Sequence, residues 1–165
     1  MTSPYTFRRL ALAELDLVNG WIGNRHVAEW WLEAGGASSL IDPADFDEDG
    51  FRMWLVLHDG VPFAYMQDYD PHLYPDHYFY DRPAPARGID QFIGAPDFMG
   101  RGHGAAFIRQ RLDMLFGEGL ACVVTDPHPD NARAIRAYEK AGFIAYGETD
   151  HPKYGRALLM QIDRP

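Results

Sequence analysis

Two stretches hold the residues whose types and spacing could do chemistry. The first runs Arg87-Gly-Ile-Asp-Gln-Phe-Ile, followed by Gly100-Arg-Gly-His-Gly at the head of an apolar-periodic segment. Glycines at a helix start let backbone N–H groups approach a ligand, and the helix N-terminus adds partial positive charge. Together these bind phosphate. The Walker spacing Gly-x4-Gly-Lys-Ser/Thr is absent, and Gly-x-Gly-x-Gly replaces the dinucleotide pattern Gly-x-Gly-x-x-Gly. A merely flexible helix entrance is the alternative reading of this loop. The second stretch is Thr125-Asp-Pro-His-Pro-Asp-Asn-Ala-Arg-Ala-Ile-Arg-Ala-Tyr-Glu-Lys-Ala-Gly-Phe. It follows a continuous apolar run and holds a carboxylate, Asp126, where a buried strand would end. On residues alone Asp90 is equally a structural hydrogen-bonding group and a carboxylate facing a ligand, and Tyr138 is either a core tyrosine or a proton donor.

The elements that must position these residues follow from periodicity. Strands are expected at Tyr5–Leu10, Phe51–His58, Pro62–Tyr69, Arg87–Ile93, Leu120–Thr125, Phe143–Thr149 and Ala157–Ile162. Alternation puts Ile89 and Asp90 on opposite faces of their strand. Helices are expected at Glu14–Ile22, around Asn24–Leu32, after the glycine loop with Ala105, Ile108, Leu112 and Leu115 as the apolar stripe, and from Asp130 or Asn131 to Ala141. The order β-α-α-β-β-β-α-β-α-β-β implies an α/β domain on a mixed, largely antiparallel sheet. Residues 34–49 read as loop, and 71–85 as an ordered loop or short helical insert. No repeat or linker divides the 165 residues, so one domain spanning 1–165 is expected.

Composition narrows the function classes. Hydrophobic residues make up 47% of the chain, enough for a real core. The single cysteine, Cys122, excludes a disulfide framework and lies in an apolar strand, where burial is expected. No apolar run approaches the ~20 residues that span a bilayer, and the N-terminus lacks a signal-peptide core, so a cytoplasmic location is expected. The net charge is −9, from 24 acidic and 15 basic residues, which argues against nucleic acid as a partner, and with no spanning run no membrane partner is expected. Its distribution is uneven. From His26 to Asp81 there are twelve carboxylates against Arg52 alone, a local charge of −11, while the remainder carries +2. Arg101, Arg109, Arg111, Arg133, Arg136 and Lys140 gather near the two later helices. One part suits a cation and another an anion, although an acidic run also simply solvates a loop. His72 and His77 match no established metal spacing, so no metal is expected.

The combination resembles the GNAT superfamily of acyl-CoA-dependent N-acetyltransferases. The glycine loop is similar to that family's Gln/Arg-x-x-Gly-x-Gly/Ala, with Met99 at the usual Gln/Arg position. Asn131, Ala134, Tyr138, Gly142 and Phe143 match its later signature. Arg87-Gly-Ile-Asp-Gln, Thr125-Asp-Pro-x-Pro-x-Asn and His26-Val-Ala-Glu-Trp-Trp look like the aminoglycoside 6'-N-acetyltransferases, over roughly Leu10 to Gln161. The loops at 34–49 and 70–85 match poorly.

The resemblance implies a V-shaped splay between the strands bearing Asp90 and Thr125, with acetyl-CoA as co-substrate in the opening. Backbone groups near Phe92 and Ile93 would pair with the pantetheine arm and polarise the thioester. Gly100, Arg101, Gly102, His103, Gly104 and Ala105 would hold the pyrophosphate, with the His103 side chain outward, and Asn131 and Ala134 would line the arm. Asp90 would position or deprotonate the acceptor amine, and Tyr138 would protonate the departing thiolate. Asp126 and Trp31 would bind the acceptor, an aminoglycoside-like polycation. Adjacent Trp30 is expected in the core. Asp76, with Asp68 and Asp70, would line the acceptor mouth. A siderophore-type hydroxylamine acylase and a non-catalytic acyl-CoA-binding module are the alternatives, and a homodimer is compatible with the sequence.

Overall fold

The computed structural model describes residues 4–32 and 40–165. Part of the expected loop at 34–49, and Glu33 of the acidic stretch, lie outside the described residues. One seven-stranded sheet runs in the order β1-β2-β3-β4-β5-β7-β6. Strands β1 (Tyr5–Arg9), β2 (Phe51–His58), β3 (Val61–Tyr69) and β4 (Ala86–Ile93) form an antiparallel meander. The turn at Asp59-Gly60 has positive φ at both residues, the mirror turn whose twist matches a two-residue hairpin.

Strand β4 then meets β5 (Cys122–Thr125) in parallel, while β6 (Ile144–His151) and β7 (Gly155–Asp163) close the sheet antiparallel. The strand bounds differ from the periodicity by at most two residues at any end, and those of β2 coincide with it. Ala121 lies just outside β5, its N–H donating to the Pro85 carbonyl. Residues Pro43–Asp47, read as loop, form a 3-10 turn because Asp42 accepts from the Ala44 N–H.

Alternation along the strands gives two core layers. Helices α1 (Leu15–Ile22) and α2 (Arg25–Trp31) cover Leu55, Tyr65 and Phe92 with Val18, Ile22 and Val27. Helices α3 (His103–Gly117) and α4 (Ala132–Ala141) cover Val56, Met66 and Ile89 on the other face. The stripe Ala105, Ile108, Leu112 and Leu115 is buried as the spacing predicts. Asn131 caps α4 by accepting from the Ala134 N–H, and Gly142 ends it.

Within that second layer Arg111 is 1% exposed, so it is not available to an anionic ligand as the basic cluster suggested. Its partner is Asp68, fully buried and therefore absent from any acceptor mouth. Arg52 Nε (2.7 Å), Arg87 Nε (2.8 Å), Arg111 Nη2 (3.0 Å) and Trp54 Nε1 (2.7 Å) all donate to this one carboxylate. Burial alone would raise the Asp68 pKa, but Arg87, Arg52 and Arg111 outweigh it and hold the group below its ordinary value. Asp70 is likewise structural, accepting from the His72 N–H at a 3-10 turn.

Candidate active site

The parallel register of β4 and β5 ends at Gly88 and Val124. Thr125 Oγ1 donates to the Ile89 carbonyl at 2.9 Å, and beyond this tie the strands part. The fork opens into a cleft of about 870 Å³. Peptide groups alternate sides along a strand. Because the Ile89 carbonyl faces β5 and the Gly94 N–H donates to Phe63 on β3, those of Gln91 and Ile93 face the fork. Those of Asp90 and Phe92 face β3. Ile93 is therefore placed as expected, although its carbonyl is met by His26 Nε2 at 2.9 Å. Phe92 is not: its backbone belongs to the sheet, and it contributes a ring 5.0 Å from that of Trp31. Gln91, two residues from Ile93, is the group that alternation identifies instead.

The glycine loop forms one end of the cleft. Gly100 and Gly102 sit at φ +71° and +81°, a region unfavourable to side-chain-bearing residues, and open space lies where a Cβ would stand. The first N–H groups of α3 have no intrahelical acceptors and can meet an anion there. Met99, Gly100 and Gly104 line the cleft, but Arg101, Gly102, His103 and Ala105 do not. Arg101 is exposed, and the lining arginines are instead Arg133 and Arg136 of α4, with Arg156 of β7. The His103 ring turns inward rather than out. Its Nδ1 lies 2.8 Å from the Tyr5 hydroxyl, and it packs on Phe63 and Phe98. Asn131, Ala134 and Tyr138 also line the cleft.

At the fork, Asp90 and Asp126 are in hydrogen-bond contact. Desolvation by burial pushes Asp90 well above its ordinary value, and the Asp126 charge beside it pushes it further, so Asp90 keeps a proton at this contact more readily than a free carboxyl. Gln67 Nε2 donates to Asp90 Oδ2 at 3.0 Å, and the Tyr78 hydroxyl donates to Asp126 Oδ2. The buried Tyr138 hydroxyl reaches Thr125 and Gln91. Burial, aided by the Asp90 charge, raises its pKa, keeping it a proton donor.

Both tryptophans of α2 line the cleft. Trp30 is half-buried rather than core, its ring 5.6 Å from that of His128 across the opening. Trp31 packs on Tyr65 and Phe92. Asp76 is exposed and outside the lining, and its carbonyl accepts from His151 Nε2. The carboxylates that do line the cleft include Glu29, Asp45, Glu48 and Asp130. Gln67 and Tyr78 were not singled out from sequence, and His26 entered only as part of a motif, with no role. Gln67 had a usable signal, period two from Tyr65, whereas Tyr78 lies in an aperiodic insert. Among the described residues no group of three or more His, Cys, Asp or Glu is placed to hold a metal. Cys122 is buried, and desolvation pushes its thiol up to about 11.

Comparison with known proteins places this geometry. A model of the acetyltransferase (GNAT) domain matches residues 11–151. The aminoglycoside N(6')-acetyltransferase type 1 of Klebsiella pneumoniae is 30% identical over 163 residues, covering 94% of this chain and 81% of that protein. The crystal structure of aminoglycoside acetyltransferase AAC(6')-Ib with coenzyme A and kanamycin superposes with a TM-score of 0.84 at 30% identity, covering 97% of this chain and 95% of that one. A structure of the same enzyme with acetyl-CoA gives 0.84 and 30%, covering 97% and 93%.

Proposed function

The chain belongs to the GNAT acetyltransferase family, and on that premise we propose that it acetylates a primary amine of an aminoglycoside-like polycation. It is an acetyl-CoA-dependent N-acetyltransferase. The observation that carries the acceptor assignment is the pair Asp90 and Asp126 at the fork, lining a cleft that begins at the amide-rich loop. Glu29, Asp45 and Glu48 line the same cleft, and the relative from Klebsiella pneumoniae, 30% identical, is named an aminoglycoside N(6')-acetyltransferase.

The chemistry must turn an ammonium into a nucleophile. As the cationic acceptor docks, its charge lowers the affinity of the pair for the proton on Asp90, which leaves to solvent. The pair then accepts one proton from the ammonium, and the neutral amine attacks the thioester carbonyl. The Gln91 and Ile93 amides at the fork are positioned to stabilise the oxyanion, a contribution of a few kcal/mol for such donors, about 2.7–4 each. As the C–S bond breaks, Tyr138 donates to the thiolate and recovers a proton from the new amide nitrogen. Protons balance: two leave the ammonium, one reaching the thiol and one restoring the pair, with one released to solvent. Burial raises Asp90 toward the range of a useful general base and keeps Tyr138 protonated until the thiolate forms.

Thiol release from acetyl-CoA with kanamycin-type amines tests the reading. Turnover on a hydroxylamine and none on any aminoglycoside would overturn the acceptor assignment. Tyr138→Phe is expected to lower kcat by about 100-fold at unchanged acceptor KM, the low end for loss of a general acid. A kcat within twofold of wild type would remove Tyr138 from the mechanism.

Acceptor binding should also respond to salt. Raising ionic strength from about 0.01 to 0.15 M shortens the Debye length from about 30 to about 8 Å. The KM of a polycationic acceptor is expected to rise several-fold, and that of a monoamine much less. Parallel changes for both would remove the carboxylate lining from the account of affinity.

A further inference from the structure

Tyr78 lies between β3 and β4, in the aperiodic segment where Asp76, and not an aromatic, was expected at the acceptor mouth. Its ring is held among His77 (4.3 Å between centroids), Phe79 (4.9 Å), His151 (5.7 Å) and Tyr154 (5.8 Å). From that socket its hydroxyl reaches Asp126 Oδ2. The other carboxyl of the pair is held from a different element. The Tyr65 hydroxyl donates to Gln67 Oε1 at 2.9 Å, which turns the amide so that Gln67 Nε2 faces Asp90 Oδ2 at 3.0 Å. Two neutral donors, one from the insert and one from β3, therefore hold two carboxyls against each other.

We propose that Tyr78 is a positioning residue for acetyl transfer: its hydroxyl keeps the Asp126 carboxyl an acceptor facing Asp90, so that the proton at their contact rests on Asp90 until a cationic acceptor displaces it. The proposal rests on the reading of this cleft as the acceptor site. Its physical basis is an asymmetry between the two donors. A phenol O–H to a carboxylate oxygen makes a shorter, stronger bond than an amide N–H, and each donor favours the anionic form of the carboxyl it touches. The side with the phenol therefore holds the anion. Burial and the adjacent carboxylates raise the Tyr78 pKa far beyond the ordinary phenol range, so the donor persists at every working pH. The other titratable groups facing the pair are Tyr65 and Tyr69 of β3, Tyr138 of α4, His77 of the insert and Tyr146 of β6, while Tyr154, between β6 and β7, faces Tyr78. Burial lowers the His77 pKa, so it places no positive charge beside the pair at neutral pH.

The experiment is a pH titration of the ligand-free protein followed by aspartate 13Cγ NMR, with Asp90→Asn used to identify the Asp90 resonance. The Asp90 carbon is expected to move in one step in wild type. In Tyr78→Phe it should move in two steps, because the proton then divides between the carboxyls. In Gln67→Leu, which removes the donor on Asp90 and leaves Tyr78 in place, the single step should persist and move to higher pH, and this covers the case of a poorly folded Phe variant. In steady state Tyr78→Phe should raise the acceptor KM about tenfold, the size expected for one hydrogen bond to a charged group, with the acetyl-CoA KM unchanged. Identical Asp90 titrations in wild type and Tyr78→Phe overturn the proposal. The titration needs no acceptor. Absence of turnover on kanamycin-type amines would therefore count against the acceptor reading, while the NMR result still decides the role of Tyr78.

Discussion

Asp90→Asn is expected to lower kcat/KM for the amine acceptor by about 100- to 10,000-fold, the range for removal of a general base, with acetyl-CoA binding unchanged. Asparagine preserves the shape and still accepts from Gln67 Nε2, so the loss isolates the proton-accepting function. The pH profile should change with it. The Asp90 value is raised by burial and then by Asp126, so in wild type kcat/KM should fall as pH drops through a value well above the ordinary carboxylate range. In the variant that limb should vanish. Stability should move the other way. A carboxyl whose native pKa exceeds its unfolded value of about 3.9 binds more protons when folded. Its contribution to stability is whole below that unfolded value and is lost as pH rises through the native one. Asp90→Asn removes this penalty and should unfold in urea at neutral pH no earlier than wild type. Thiol-release kinetics beside a urea melt check both halves. Wild-type activity in the variant would remove Asp90 from the mechanism.

The largest effect on stability should come from the other face of the sheet. Asp68→Asn is expected to cost about 3–5 kcal/mol, as when one partner of a buried ionic cluster is removed. It leaves Arg52, Arg87 and Arg111 without their common anion, and Arg111 has no solvent to turn to. Two guanidinium nitrogens there, Arg52 Nη2 and Arg111 Nε, are already buried without hydrogen-bond partners, so little slack exists to absorb the change. The sign with pH is opposite to that of Asp90. Asp68 is held below its unfolded value by the three arginines, overcoming burial. Its contribution is whole above about pH 4 to 5 and is lost as pH falls through the native value. Wild type should therefore lose stability steeply in acid, and Asp68→Asn should show a flatter limb. Urea midpoints from pH 3 to 7 measure this, and a variant that keeps the acid limb would show that other carboxylates produce it.

How legible the protein was depends on whether a feature is local. The helix through Ala105, Ile108, Leu112 and Leu115 and the cap at Asn131 were readable because their causes lie within a few residues, in periodicity and in one side-chain-to-backbone bond. The same holds for the two strands either side of Asp59-Gly60 and for the placement of Ile89 and Asp90 on opposite faces. Asp68 was misjudged for the complementary reason. Its partners come from β2, β4 and α3, and no spacing along the chain announces a carboxylate that three distant arginines converge on. Arg111 looked like a surface cation for the same cause.

The glycine loop shows the division within one motif. Its composition was enough to mark an anion-binding helix start, since backbone amides do that work wherever such a loop heads a helix. Which cations accompany it depended on packing: Arg101 next door faces away, while Arg133 and Arg136 reach the cleft from α4.

By itself, then, the sequence determined the order of elements, the resemblance to an acetyl-transfer family, and the identities of Asp90, Tyr138 and Asp126 as candidates, because these follow from local pattern. Only the tertiary structure decided that β4 and β5 part beyond Gly88 and that Asp90 and Asp126 meet there. It also decided that Tyr78, from an insert without pattern, holds one of them. A proton held at the contact of two carboxyls depends on their distance and their burial, and both are properties of strands brought together from far along the chain.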